Sequence, residues 1–347
     1  MNEGFSSWVG VLVCAMMLGG CRGSAEPESG EVRQAEAAPA TGAEAPDEGT
    51  VPAGARGPAD HVPTIIQPDP SWPTPPEGMI YIPAADVWLG EEGDDVNPRR
   101  LVHMEAFFID RTEVTAAAFE RCVASGRCPA YTRPPALQLT DPPDSPVARW
   151  IVEQCTFGRP DRRDHPMNCV SRVQATLYCI SQTGRLARAD EWEYAARGTD
   201  ERRYPWGSES AHDRAYGNSC DESLRARFAS IGANSATLEQ WYEPFDDGFP
   251  ATAPVGAFVG DTTPFGLRDT SGNVSEWTGD AGRLPETGAD SDEVPLRLGG
   301  SWIVGTMPSA YRNFYEELRQ HPAVGFRCVQ DVSSATGTEF RETRSTP

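Results

Sequence analysis

The chain has 347 residues, of which 39% are hydrophobic, with nine tryptophans and a formal charge of -21 at pH 7. That length accommodates one large domain or two ordinary ones, and the apolar content supports a packed core, which excludes disorder throughout. The acidity argues against nucleic acid, whose phosphates need a basic surface. No lysine is present, which excludes Schiff-base and catalytic-lysine chemistry.

The first segment reads as an export signal. Residues 9–18 are apolar but too few to span a bilayer. They end in Leu18-Gly19-Gly20-Cys21, which resembles the bacterial lipobox, where small residues admit the peptidase and the cysteine thiol receives diacylglycerol. The expectation is a signal peptide over residues 1–21 and a lipoprotein attached to the membrane through Cys21. Arg22 follows where an aspartate would favour inner-membrane retention, so the outer membrane is the expected location. A non-lipidated secretory peptide is the competing reading; Met1 to Trp8 holds Glu3 and no basic residue, where an export signal is expected to be positive. Residues 22–76 are rich in Ala, Glu, Pro and Gly, cannot bury enough apolar surface to order themselves, and read as a flexible tether.

Beyond the tether the pattern predicts strands at residues 78–82 and 87–89. A helix follows through Phe119 and Cys122, with Thr112 or Thr115 as its cap. Residues 134–146 form a proline-rich loop, and helices are predicted over 173–183 and 190–197, the latter carrying the helix-favouring Ala195 and Ala196. After Arg203 turn residues dominate. Short strands are expected at 296–298, 301–303 and 325–329, then a polar tail over 332–347. A large domain with so little regular structure needs buried tryptophans, disulfides or bound cations as supports. Loss of Cys14 and acylation of Cys21 would leave seven cysteines, an odd number, in an oxidising compartment where disulfides are the default.

Three blocks near the end carry the strongest signal: Phe265-Gly-Leu-Arg-Asp269-Thr-Ser-Gly272-Asn273-Val-Ser-Glu276-Trp277, Gly299-Gly-Ser301-Trp302 and Gly325-Phe-Arg327-Cys328. Before them stand Asp110-Arg-Thr-Glu113, Glu191-Trp-Glu-Tyr-Ala-Ala-Arg-Gly198, Tyr204-Pro-Trp-Gly207 and Asp246-Asp-Gly-Phe249. In this order they resemble the formylglycine-generating enzyme family, also called the sulfatase-modifying factor family, over residues 78–329. The resemblance implies an α+β domain at residues 77–331, with the formylglycine-generating-enzyme fold, C-type-lectin-like and low in regular secondary structure.

Enzymes of that family bind Cu(I) through two cysteines soon after the Gly-Gly-Ser block and use oxygen to convert a substrate cysteine to formylglycine. Those positions fall here on Val304 and Ser309. Cu(I) wants soft sulfur; Val304 has no lone pair and Ser309 offers a hard, neutral hydroxyl, so copper is not expected. The five histidines show neither HxxxH nor HExxH spacing, although a two-histidine, one-carboxylate iron site stays open in space. Ser301 matches a serine near the family's active site, with no histidine beside it to act as base. Ser301, Trp302, Tyr311, Arg312 and Arg327 are expected to line an inherited pocket that accepts a peptide or small anion. Trp302 fits the core equally well.

The resemblance also implies structural calcium. One site falls on Asp269, Gly272, Val274 and Glu276, and a second on Asn218, the Ser219 carbonyl, Asp247 and the Phe249 carbonyl. Calcium takes six to eight hard oxygens, and a bent loop supplies carboxylates with carbonyls between them. Spacing alone favours a Gly-Asn turn capped by Asp269; the resemblance favours calcium. It further implies a Cys179–Cys328 disulfide. Cys122 with Cys128 makes a local pair across Gly126, and Cys155 with Cys169 would leave Cys220 free. The expected function is a binding or accessory module that has lost its copper thiols, the alternative being a divergent oxidoreductase acting on an exported peptide or small molecule.

Overall fold

A computed structural model describes residues 65–131, 145–208, 216–233, 241–282, 294–314 and 320–332. The expected signal peptide with Cys21, most of the tether and nearly all of the polar tail lie outside these residues. In chain order the elements are β1 (Met79–Ile82), β2 (Ala85–Leu89), β3 (Arg100–Met104), β4 (Phe107–Asp110), α1 (Ala116–Ala124), α2 (Pro146–Val152), α3 (Arg172–Ser181), β5 (Arg185–Leu186), α4 (Ala189–Arg197) and α5 (Glu222–Ser230), then β6 (Ser275–Gly282), β7 (Val294–Leu298), β8 (Asn313–Phe314), β9 (Val324–Gly325) and β10 (Cys328–Asp331). Residues 65–76, assigned to the tether from composition, lie against the domain instead. The Ile66 amide donates to the Pro264 carbonyl, and the Trp72 ring sits 5.3 Å from that of Tyr81.

Local chemistry fixes the helix starts. The Thr115 hydroxyl accepts from the Ala118 amide at 3.2 Å and caps α1. Ser171 and Gln174 form a reciprocal capping box at the start of α3. Ser145 caps α2, whose first residue is Pro146, so the proline-rich stretch ends in a helix because proline at the first position forfeits no helical hydrogen bond. Asp221 caps α5, a helix hidden in the sequence among turn residues and only weakly amphipathic.

Two four-stranded sheets meet at the end of the chain. One has the order β1-β4-β10-β5 and is antiparallel; the other runs β8-β7-β6-β9, with β6 and β9 parallel. Strands β2 and β3 form a separate hairpin. The expected strand at 325–329 is therefore two strands, because the chain leaves one sheet and enters the other at Phe326-Arg327. Phe326 packs edge-on against Phe119 and Tyr178 there, while Arg327 turns inward. The expected strand at 301–303 is a tight turn in which Ser301 and Val304 exchange backbone hydrogen bonds of 3.3 and 3.0 Å.

Three disulfides tie the irregular parts together: Cys122–Cys128, Cys155–Cys169 and Cys179–Cys328. The last spans 149 residues and joins α3 to β10, closing a very large loop. Cys220 is the free cysteine among the described residues, and it is buried. Trp192, Trp277 and Trp302 are each at most 1% exposed and anchor three separate apolar clusters.

Candidate functional site

Arg327 occupies the crossing between the sheets, completely buried. Its Nε and one terminal nitrogen each donate to a Glu276 carboxylate oxygen at 2.7 Å. Its remaining donors reach the carbonyls of Asp110, Arg111 and Arg268 at 2.8–3.2 Å. The Trp192 indole N–H completes the shell of Glu276 at 2.8 Å. A bidentate pair with every guanidinium nitrogen satisfied is the one form in which such a charge tolerates a dry core.

Glu276, one of the expected calcium ligands, has both oxygens engaged, one by Arg327 and the other by Arg327 and the Trp192 indole. Asp269 stands apart from that pair: its carboxylate accepts from the Gly256 amide at 2.5 Å, and burial with the neighbouring charge of Asp261 pushes its pKa up to about 7. Gly272 is required for a reason other than the turn the sequence suggested. Asp269 and Asn273 carry the left-handed conformations, at φ 60° and 61°, whereas a side chain at Gly272 would put its Cβ 2.3 Å from the Asn218 carbonyl oxygen. The close approach also lets the Asn273 amide donate to that carbonyl at 2.7 Å.

Asn218, Ser219, Asp247 and Phe249 come together beside this loop. Asp247 accepts from the Ser219 amide at 2.9 Å and from the Phe249 amide at 2.8 Å, and its own amide donates to the Asp221 carboxylate. Burial first, and the adjacent Asp221 second, push Asp247 up to about 9; burial pushes Asp221 up to about 6. The Asn218 amide nitrogen donates to Ala251 and Asn273, but its carbonyl oxygen Oδ1 is buried with no hydrogen-bond partner. Asn218 is next in the chain to Ser219, whose amide Asp247 holds, and carboxyl and carbonyl oxygens are the donors a hard cation takes.

A family model described as "Sulfatase-modifying factor enzyme 1-like domain" matches residues 65–332. The chain belongs to that family. Formylglycine-generating enzyme from Bos taurus is 27% identical over 311 residues, covering 76% of this chain and 78% of the bovine one. A protein of Mus musculus named "Inactive C-alpha-formylglycine-generating enzyme 2" is 31% identical over 287 residues, covering 73% of this chain and 86% of the mouse chain. Among solved structures, PvdO from Pseudomonas aeruginosa has a TM-score of 0.50 at 21% identity, covering 73% of this chain and 94% of its own, which shows the shared fold.

In this sulfatase-modifying-factor-like domain the residues at the expected copper positions are tied into backbone. Val304 closes the turn with Ser301, and the Ser309 amide donates to the Arg203 carbonyl at 2.8 Å. Six cysteines of the described residues are disulfide-bonded, so Cys220 alone could offer a thiol, and burial pushes that thiol up to about 12. The donor set does not fit a two-thiolate Cu(I) site.

Ser301, Trp302, Tyr311, Arg312 and Arg327, expected together in one pocket, stand in different surroundings. Trp302 is core, packed edge-on against Trp150 with its indole N–H on the Pro322 carbonyl at 3.1 Å. Arg327 faces Glu276, and Ser301 is buried. Arg312 belongs to another network, donating to Glu193 at 2.5 Å beside Arg197 and Asn97. It borders a cleft of about 350 Å³ with Asn97, Arg100, Asp190, Leu296 and Phe314. Sequence order could not foresee the separation, because Arg312 and Arg327 diverge only once the sheets cross.

Breaking the central pair leaves a charge buried without its partner. Arg327→Met is expected to lower stability by about 3–5 kcal/mol, and the double change Arg327→Met with Glu276→Leu to recover part of that loss. Urea unfolding of Arg327→Met, Glu276→Leu and the double variant reads the coupling; additive losses would show the two side chains act separately.

Proposed function

We propose that this domain has left copper-dependent cysteine oxidation and serves as a calcium-stabilised binding or accessory module on an exported lipoprotein. The observation that carries the reading is the replacement of both thiol positions by Val304 and Ser309 in a domain whose other cysteines, Cys220 excepted, are locked in disulfides. Kinship with a mouse protein whose name begins "Inactive" supports it. Three disulfides are consistent with export, and no helix among the described residues is long and apolar enough to cross a membrane. Attachment would then rest on acylated Cys21, with the outer membrane as the location that Arg22 favours. The ligand of the module would be a peptide or small molecule.

Kinship with formylglycine-generating enzyme favours a second reading, a divergent oxidoreductase of the same family. One reaction separates the two. Protein loaded with Cu(I) and supplied with a cysteine-containing sulfatase peptide should yield no aldehyde by mass spectrometry. Formylglycine in the product would defeat the accessory reading.

Calcium is proposed at Asn218, Ser219, Asp247 and Phe249, where the orphaned Asn218 oxygen and the facing Asp221 and Asp247 carboxyls would find their counter-charge. An ion bound at a hundred times its dissociation constant stabilises by about 2.7 kcal/mol, which raises the Tm of a domain this size by about 5–10 °C. The shift should appear on adding calcium to chelated protein and should shrink in Asp247→Asn. A Tm indifferent to chelator would contradict it.

A further inference from the structure

Helix α3 buries Ala175, Tyr178 and Cys179 against the domain. The opposite face of such a helix is ordinarily polar. Here its exposed residues are Val173, Leu177 and Ile180, at 44%, 41% and 58% exposure. Spaced four and then three residues apart, they form one stripe along the helix. Single aliphatic residues on a surface are commonplace, but a continuous stripe marks a contact. Beside the stripe lies a second cleft, of about 540 Å³, lined by Val173, Leu177 and Leu186 and bordered by Arg172, Arg185 and Arg188.

The end of the chain starts from the same place. Strand β10 pairs with β5 at Arg185 and Leu186. The Gln330 side chain donates to the Gln182 carbonyl, at the close of α3, at 2.9 Å, and Asp331 accepts from Arg185 at 2.7 Å. Val332 packs onto the cluster that holds Tyr178 and Cys179. Residues 333–347 therefore begin beside the last turn of α3. Their one large apolar residue is Phe340, set in Glu339-Phe340-Arg341-Glu342 after a spacer of small residues, Ser333 to Thr338. Eight residues of extended chain from Val332 reach about 26 Å, and the ten residues of α3 span about 15 Å.

Charge fits the same occupant. Arg185 is engaged by Glu191 and Asp331, and Asp280, the acid on the cleft wall, accepts from the Ala189 amide. Arg172 donates to the Thr278 and Gly279 carbonyls, and Arg188 is more than half exposed, so both can take a carboxylate besides. A second copy would bring two arginine-bordered faces together, each on a chain of formal charge -21. A tethered segment meets no such repulsion and is present at a millimolar effective concentration.

We infer that the segment after Val332 folds back along α3 and seats Phe340 on the Val173, Leu177 and Ile180 stripe, with Glu339 and Glu342 towards Arg172 and Arg188. The apolar face of α3 is then covered by the chain's own end.

Cross-linking and proteolysis of the full-length chain test this. Leu177→Cys with Phe340→Cys should form a new disulfide on mild oxidation, read by peptide mapping in a mass spectrometer. Leu101→Cys with Phe340→Cys, at an exposed position on the β2–β3 hairpin, should not. Trypsin should cut after Arg341 several-fold more slowly in the parent than in Leu177→Gln with Ile180→Gln, and Phe340→Ser should be cut at the faster rate. The substituted α3 positions are exposed, so near-ultraviolet circular dichroism should stay unchanged. Equal cleavage in parent and variants would overturn the inference, as would cross-linking of Leu101→Cys as readily as Leu177→Cys. A parent dimer in sedimentation that dissociates in Leu177→Gln with Ile180→Gln would overturn it in favour of a second copy on this face.

Discussion

The buried pair between Arg327 and Glu276 is the constraint around which the domain is arranged. It sits where the chain passes from β9 to β10, so a single side chain reaches β6 in one sheet and the carbonyls after β4 in the other. Such a pair adds little stability over a well-packed apolar substitute, because desolvation offsets most of its Coulomb energy. Its contribution is geometric. A guanidinium with fixed donor directions specifies which strand crosses where, and a domain with short strands has few other means of specifying it.

Around that anchor the domain concentrates negative charge, with Glu113, Asp261 and Asp269 all buried close by, and Asp221 and Asp247 are buried as a second group. Carboxyl groups gathered in this way raise one another's pKa, and burial raises them further. The acidity of the whole chain is thus mirrored inside it. Carboxyl groups buried in this way burden the fold unless protons, hydrogen bonds or counter-charges accompany them.

Much of the fold was legible because its signals are local. Thr115 before an alanine-rich run, the Ser171-Gln174 box and the apolar Met79–Ile82 each announce their element without help from the rest of the chain. The elements that escaped are those made by tertiary contacts. The α5 helix has a polar sequence and gains its place from Leu224 and Phe228 packing with Trp150 and Trp302. The β6 strand was hidden inside the Asp269–Trp277 block. Arg312 and Arg327 read alike in sequence, but one joins Glu193 and the other Glu276.

The central claim is that this member of the sulfatase-modifying-factor family lacks the donors for Cu(I), and copper affinity tests it most directly. Competition against a coloured Cu(I) chelator should show no tight binding by the parent chain, and tight binding by the double variant Val304→Cys with Ser309→Cys, which restores both thiols. Binding by the parent as strong as that of the double variant would contradict the account.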